Sequence, residues 1–243
     1  MIDLKNLKKS YDGRAVVDGL TLHIKTGHVF GFLGQNGAGK TTTIKMIVGL
    51  SAPEEGEIKI GGRSASDVSS REKIGFMPEA PYFYERLTGL EFMKFCADLF
   101  GRGHSGLGRL EEILRQVGLY DAKDRAIGNY SKGMKQRLGF AQALVNNPEY
   151  IFLDEPLDGL DPIGRKEIKE IIKSLKRGGK TVFFNSHILY DTEELCDEIG
   201  IIHHGRLLYA GPVKEFCAGR PLETRFVEEV EKAEKIVHET AQI

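Results

Sequence analysis

Little in this sequence suggests a disulfide-stapled, membrane-embedded or nucleic-acid-coating chain. Cysteine occurs at three positions, Cys96, Cys196 and Cys217, an odd number with no C-x-x-C pair. They read as reduced packing residues of a cytosolic protein. No apolar run approaches the roughly 18 residues of a membrane span, so a membrane role has to come through a partner. Met1-Ile2-Asp3-Leu4-Lys5 carries an acid and no apolar core, which does not read as a signal peptide. Neither charge sign dominates: 34 Lys and Arg stand against 35 Asp and Glu, a net charge of −1. That leaves no global basic field for a nucleic acid. Repeats and low-complexity segments are also missing. What remains is 41% apolar residues, enough for a substantial core, and 28% charged residues, on a 243-residue chain. The length suits one α/β unit with an inserted subdomain.

The informative stretch is residues 28–42. Val29 to Leu33 is a short apolar run that reads as a buried strand. It breaks into Gly34-Gln35-Asn36-Gly37-Ala38-Gly39 and resumes as Lys40-Thr41-Thr42, the start of a helix. Gly34-x-x-x-x-Gly39-Lys40-Thr41 fits the P-loop spacing at every fixed position, in the strand–turn–helix context that spacing needs. Glycines let successive N–H groups turn inward onto phosphate oxygens, and the helix N-terminus adds partial positive charge. Lys40 then reaches the β- and γ-phosphates, and the Thr41 hydroxyl serves as a Mg²⁺ ligand. This is a nucleotide-phosphate site.

Around it, residues 2–8 and 20–25 alternate as half-buried antiparallel strands about an Asp12-Gly13 turn. A hairpin is expected around residues 56–62, and a short strand at Ile74–Met77 that ends before Pro78. Residues 86–147 then read as a helical insertion. Thr88-Gly89-Leu90-Glu91 is a capping box, and the apolar positions after it cover most of the helix circumference, which predicts burial on two sides. A loop at 101–108, a helix around Leu110–Val117 and a long helix at 131–146 follow. Beyond it come strands at 150–153, 181–184 and 199–202, with a helix started by Asp161-Pro162 between the first two. The tail, 219–243, places Phe226, Val230, Ala233, Val237 and Ala241 at helical spacing. It either packs on the body or meets a partner, and packing is the favoured reading.

The apolar strand Tyr150–Leu153 ends in Asp154-Glu155. An aspartate there is suited to hold Mg²⁺, directly or through water. Glu155, one residue on, points elsewhere and can act as general base toward water. A serine-capped helix opens at Tyr130-Ser131-Lys132-Gly133-Met134, Gly159-Leu160-Asp161 follows the acid pair, and Ser186-His187 follows the strand at 181–184. Each segment alone is ordinary; in this fixed order they are informative together.

Over about residues 2–217 the chain resembles the nucleotide-binding subunit of the ATP-binding cassette (ABC) family. The resemblance implies an α/β P-loop (RecA-like) core with an N-terminal antiparallel β subdomain and an inserted α-helical subdomain near 86–147. It makes Tyr11 the aromatic against adenine and Gly34–Thr42 the Walker A loop. Glu79 takes the Q-loop position, Tyr130, Ser131, Lys132, Gly133 and Met134 the signature, Asp154 and Glu155 the Walker B pair. Asp161 falls in the D-loop and His187 is the switch histidine. The sequence departs from the family pattern at Glu79, normally glutamine, at Lys132 for the first signature glycine, at Met134 for glutamine, and at Leu157-Asp158 for Thr-Ser. Glu79 keeps an oxygen for Mg²⁺ but adds charge, and an ammonium at position 132 does not oppose a polyphosphate.

What the resemblance implies is an ATPase with ATP and Mg²⁺ as cofactors, Glu155 and His187 as catalytic residues, and Thr41, Asp154 and Glu79 around the metal. Two copies meet head to tail around two Mg-ATP and drive an integral-membrane permease, in the export-type subgroup, from the cytoplasmic face of the membrane. Pro81-Tyr82-Phe83-Tyr84 and the helix from Thr88 either receive a permease helix or fill the subdomain core. The competing class, a soluble ABC protein acting on nucleic acid or ribosomes, lacks here its coiled-coil insertion or second cassette. No guanine-selective Asn-Lys-x-Asp element occurs, and no nucleic-acid partner is expected.

Overall fold

The computed structural model describes residues 1–101 and 106–240, with side chains to residue 235. The chain packs as two compact units, Met1–Ala65 with Asn185–Ile243, and Ser66–Phe184.

The first unit opens with β1 (Ile2–Tyr11) and β2 (Arg14–Ile24), paired antiparallel from Ile2↔Ile24 to Tyr11↔Arg14. Asp12 and Gly13 both take positive φ, 50° and 74°, as a two-residue hairpin turn demands. The period-2 pattern sends Ile2, Leu4, Leu20, Leu22 and Ile24 to the buried face, and both strands run longer than their apolar alternation. β3 (Val29–Leu33) is buried at every residue and leads through the phosphate loop into α1 (Lys40–Ile47). β4 (Glu55–Ile60) and β5 (Arg63–Ser64) complete a sheet of order β2-β1-β4-β5.

The second unit begins with α2 (Val68–Arg71) and β6 (Ile74–Met77). β7 (Tyr150–Asp154) runs parallel to β6, from Ile74↔Tyr150 to Met77↔Leu153. Between them stand α3 (Gly89–Leu99), α4 (Leu107–Gln116) and α5 (Lys132–Ala143), with short 3-10 turns at Tyr120–Ala122 and Ile127–Asn129. The capping box is present in both directions: Glu91 N donates to Thr88 Oγ1 (3.2 Å) and Thr88 N to Glu91 Oε2 (2.8 Å). Such a cap stabilises a helix start by about 1 kcal/mol. The prediction of burial on two sides fails for α3. Leu90, Phe92, Met93 and Cys96 are buried, but Phe95 is 40% and Leu99 72% exposed, because α4 and α5 cover one stripe only.

α5 also stops earlier than residues 131–146 suggest. Leu144 is its C-cap, and Asn146 turns its amide onto the carbonyls of Glu72 (3.0 Å) and Ile74 (2.9 Å). Gly75 permits this approach, since a Cβ there would lie 2.0 Å from the Ala143 carbonyl. α6 (Pro162–Arg177) follows β7, and β8 (Thr181–Ser186) lies beside β7 in the order β8-β7-β6. Along α6, Ile168 and Ile172 are buried while Ile171 and Leu175 are half-buried.

The chain returns to the first unit with α7 (Leu189–Leu195), β9 (Glu198–His203), β10 (Arg206–Pro212), α8 (Val213–Cys217) and α9 (Leu222–Thr240). β9 is parallel to β3 from Phe30↔Glu198 to Leu33↔Ile201, and β10 turns back antiparallel on β9. α9 packs on this unit. Leu222 joins a buried cluster of Leu33, Ile199, Ile201, Val213 and Phe216, with Phe226 against it and Val230 also buried. Full burial stabilises by about 1.5–3 kcal/mol per such side chain, which favours the packing reading of the tail. Val237 and Ala241 lie outside the described side chains, as does part of the expected loop, 102–105. Among the described residues no helix is long and apolar enough to cross a membrane, and Cys96, Cys196 and Cys217 form no disulfide.

Candidate nucleotide site

In the first unit the phosphate loop is shaped by contacts that only glycine allows. A Cβ on Gly34 would lie 2.5 Å from the Ile202 carbonyl of β9. Gly39 has φ +108°, and a Cβ there would lie 2.5 Å from the Val16 carbonyl of β2. Gly37, at the tip, faces nothing within 4 Å and takes φ +80°. One side of the loop is thus pressed onto β2 and β9 while its tip is open. The Lys40 side chain is buried and runs back along the loop, donating to the Gly34 carbonyl (2.8 Å) and the Gln35 carbonyl (3.3 Å). Gly39 is the N-cap of α1 and brings no side-chain cap, and the Thr43 hydroxyl donates to its carbonyl (2.9 Å). A buried ammonium inside a glycine cradle at a helix N-terminus fits a polyphosphate, and the neighbouring Thr41 hydroxyl fits Mg²⁺ as one oxygen ligand.

A second contact fixes this loop from below. Gly205, in the β9–β10 turn, donates its N–H to the Ala38 carbonyl (3.0 Å) and accepts from Asp18 N (2.9 Å). His203 and His204 precede it, their ring centroids 4.2 Å apart. Burial, with His204 as a lesser cause, holds the His203 imidazole below its ordinary pKa of 6.5, against a small opposing effect of Glu234.

The second unit carries the acid pair. Asp154 closes β7 and is 2% exposed; Glu155 follows at 8%. Glu155 takes φ +51°, the left-handed region, so the backbone turns sharply between the two carboxylates. For a side-chain-bearing residue that conformation costs about 1–3 kcal/mol and persists only where its surroundings hold it. Here the Glu155 carbonyl accepts from Asp158 N (3.2 Å) and from Gln136 Nε2 of α5 (3.4 Å). Downstream, Asp161 caps α6 by accepting from Gly164 N (2.7 Å).

The signature segment adjoins that loop. Ser131 is the N-cap of α5 and accepts from Met134 N (3.2 Å). Lys132 lays its side chain over Gly159, where a Cβ would lie 2.4 Å from the Lys132 Nζ and where φ is +66°. Tyr130 is buried, which raises its hydroxyl pKa, and that hydroxyl donates to the Ala122 carbonyl (2.7 Å). Met134 is half-buried, whereas Ser131 and Lys132 are exposed.

Tyr11, the phosphate loop and His187 therefore belong to the first unit, and Glu79, residues 131–134, Asp154, Glu155 and Asp161 to the second. Within the second, residues 131–134 and 155–161 come together as described. Tyr11 is 47% exposed with the Lys9 ammonium 5.6 Å from its ring centroid. Glu79 and His187 are exposed at the ends of β6 and β8. Two contributors escape sequence reasoning. Gly205 reads only as a turn. Gln136 could have been found as a polar residue on the buried stripe it shares with Phe140 and Ala143, at i, i+4 and i+7.

Residues 17–158 match the family model described as ABC transporter. An uncharacterized ABC transporter ATP-binding protein of Nostoc sp. is 48% identical over 205 residues, 83% of this chain, which spans 61% of that relative's length. The bacitracin transport ATP-binding protein BcrA of Bacillus licheniformis is 44% identical over 211 residues, 86% of this chain and 68% of the relative. Among solved structures, a dimeric ATP-binding cassette in a post-hydrolysis state with ADP and Pi superposes with a TM-score of 0.82 at 27% identity, over 88% of this chain and 99% of that one. A family model over more than half of the sequence, with relatives alike along most of it, leads to one conclusion: the chain belongs to the ABC transporter family.

Proposed function

We propose that the chain is the ATP-binding and ATP-hydrolysing subunit of an export-type ABC transporter. Two copies close around two Mg-ATP, and closure drives a separate membrane permease. The observation that carries this is the glycine cradle with Lys40 buried along it, its ammonium already held at the carbonyls of Gly34 and Gln35. Lys40 exchanges those neutral acceptors for charged phosphate oxygens, a stronger class of hydrogen bond. Thr41 and Asp154 hold Mg²⁺, with Glu79 as a further oxygen, and the ion supplies charge neutralisation on the phosphate oxygens. Glu155 accepts a proton from the attacking water, and His187 orients the γ-phosphate. Tyr11 stacks on adenine. Ser131, Lys132, Gly133, Met134 and Asp161 of one copy face the nucleotide held by the other, so neither copy alone supplies all the donors.

In this reading residues 1–218 are one ATPase domain with a helical subdomain at about 86–147, and residues 219–243 are a helical tail. The permease docks at the exposed aromatic surface of Tyr82, Tyr84 and Phe95, where Tyr84 and Phe95 meet edge-on with centroids 5.5 Å apart. The chain then works at the cytoplasmic face of the membrane as a peripheral subunit. The name of the bacitracin transport relative supports the transport reading, and the dimeric state of the solved cassette supports the pairing reading.

Glu155→Gln keeps the shape of the side chain and removes the base. With saturating Mg-ATP it is expected to bind nucleotide, to lose turnover by at least about 100-fold and to elute as a dimer. Turnover near wild type in that variant would show the base assignment to be wrong, and a monomer under those conditions would sink the pairing.

A further inference from the structure

Gln136 is buried, lies on the helix that Ser131 opens, and is not used by the reading above. Its Nε2 sits 3.4 Å from the carbonyl of Glu155, the residue at φ +51°. That carbonyl also accepts from Asp158 N at 3.2 Å, so a local turn and a side chain from α5 converge on one oxygen. The peptide plane carrying that oxygen sets the direction in which the following loop leaves Glu155, and both donors restrain it. α5 meets the same loop twice more, through Lys132 over Gly159 and through Gly133, where a Cβ would be 3.6 Å from Leu160. Ser131 and Gln136 are five residues apart, about one and a half helical turns. One helix therefore carries both residues.

We infer that Gln136 is a positioning residue: its amide locks the left-handed backbone of Glu155 and so couples the orientation of the signature helix to the aim of the carboxylate. This rests on the reading that Glu155 is the general base. The bland role, satisfying one buried carbonyl for stability, predicts a different pattern of effects. A stability role moves the melting temperature and leaves turnover of the folded protein alone. A positioning role moves kcat, because misplacing a reacting group by about 1 Å costs on the order of 100-fold in rate.

The experiment uses the full chain and Mg-ATP. Gln136→Met keeps the length and volume of the side chain and removes the donor. Expected are a fall in kcat of about 10–100-fold and a KM for ATP within about twofold of wild type, since uniform binding is untouched. Without nucleotide, amide exchange is expected to quicken over residues 155–158, where the Asp158 N–H shares the oxygen that Gln136 releases. In a Glu155→Gln background the same substitution should lower the residual rate no further, because both changes act through one carboxylate. An unchanged kcat, unchanged exchange at 155–158, or effects that multiply in the double variant would each overturn the inference. Should Gln136→Met fail to fold, Gln136→Asn withdraws the amide by one methylene and is read in the same way. Wild-type turnover in Glu155→Gln alone would remove the base assignment and this inference with it. Multiplying effects beside an inactive Glu155→Gln would remove the inference alone.

Discussion

The backbone N–H of Gly205 donates to the carbonyl of Ala38 at 3.0 Å, joining the β9–β10 turn to the middle of the phosphate loop. The two residues are far apart in sequence, and the contact exists because β9 runs parallel to β3 and carries its turn out at the same edge. The loop's curvature is therefore set by its sheet as well as by its own glycines.

That contact separates two kinds of glycine. A Cβ on Gly205 would lie 2.7 Å from the Val16 carbonyl at φ +78°, whereas Gly13 has φ +74° and nothing within 4 Å. Gly13→Ala is expected to cost about 1 kcal/mol, the backbone penalty alone. Gly205→Ala is expected to add about 1–3 kcal/mol of overpacking and to weaken ATP binding. Urea melts and nucleotide titration of both variants check this; equal costs would show that the close approach to Val16 is immaterial.

On the proposed reading, Lys40→Ala removes a charge-assisted contact to phosphate. The expected loss is at least about 2–3 kcal/mol of nucleotide binding, since hydrogen bonds to charged groups are worth more than neutral ones. Calorimetric titration with Mg-ATP reads it directly. An affinity equal to wild type would remove the lysine from the site.

His203 gives the first unit a pH dependence. Burial, aided by His204, keeps its folded pKa below the unfolded value of 6.5, and Glu234 Oε1, 3.7 Å from Nε2, opposes only in part. The unfolded chain takes up a proton as pH falls through 6.5, and the folded chain does so only lower. The stability contribution is thus complete above pH 6.5 and is lost as pH drops through the folded pKa. Thermal melts are expected to fall more steeply between pH 7.5 and 5.5 for the wild type than for His203→Gln. Parallel curves would show that His203 is not the group responsible.

Cys96, on the buried stripe of α3, has its thiol pushed up to about 11 by burial alone. At pH 8 roughly one thiol in a thousand would be ionised, so the folded chain is expected to leave Cys96 unmodified by iodoacetamide while denatured chain reacts. Peptide mapping of alkylated cysteines checks it. Rapid labelling of Cys96 in the native protein would mean that α3 opens readily.

The parts of the fold and of the site that sequence reveals are local ones. The phosphate loop, the Thr88 capping box and the Asp161-Pro162 start each occupy a few consecutive residues, and the backbone geometry they need is dictated by glycine, proline or a short polar side chain. The strand cores are legible for the same reason, since alternation or unbroken apolarity shows which faces are buried. α3 shows where this stops. Its apolar positions say that the helix can be covered all round, and only the placement of α4 and α5 leaves Phe95 and Leu99 outside.

The sequence by itself thus determined the phosphate cradle, the order of the motifs and the family, because these are written in residue types at fixed short spacings. The tertiary structure alone decided that α9 folds back onto β3 and β9, that Gly205 braces Ala38, and that Gln136 reaches the carbonyl of Glu155. Those contacts join residues remote along the chain. No local propensity encodes them, since they depend on which faces meet once the sheets and helices have packed.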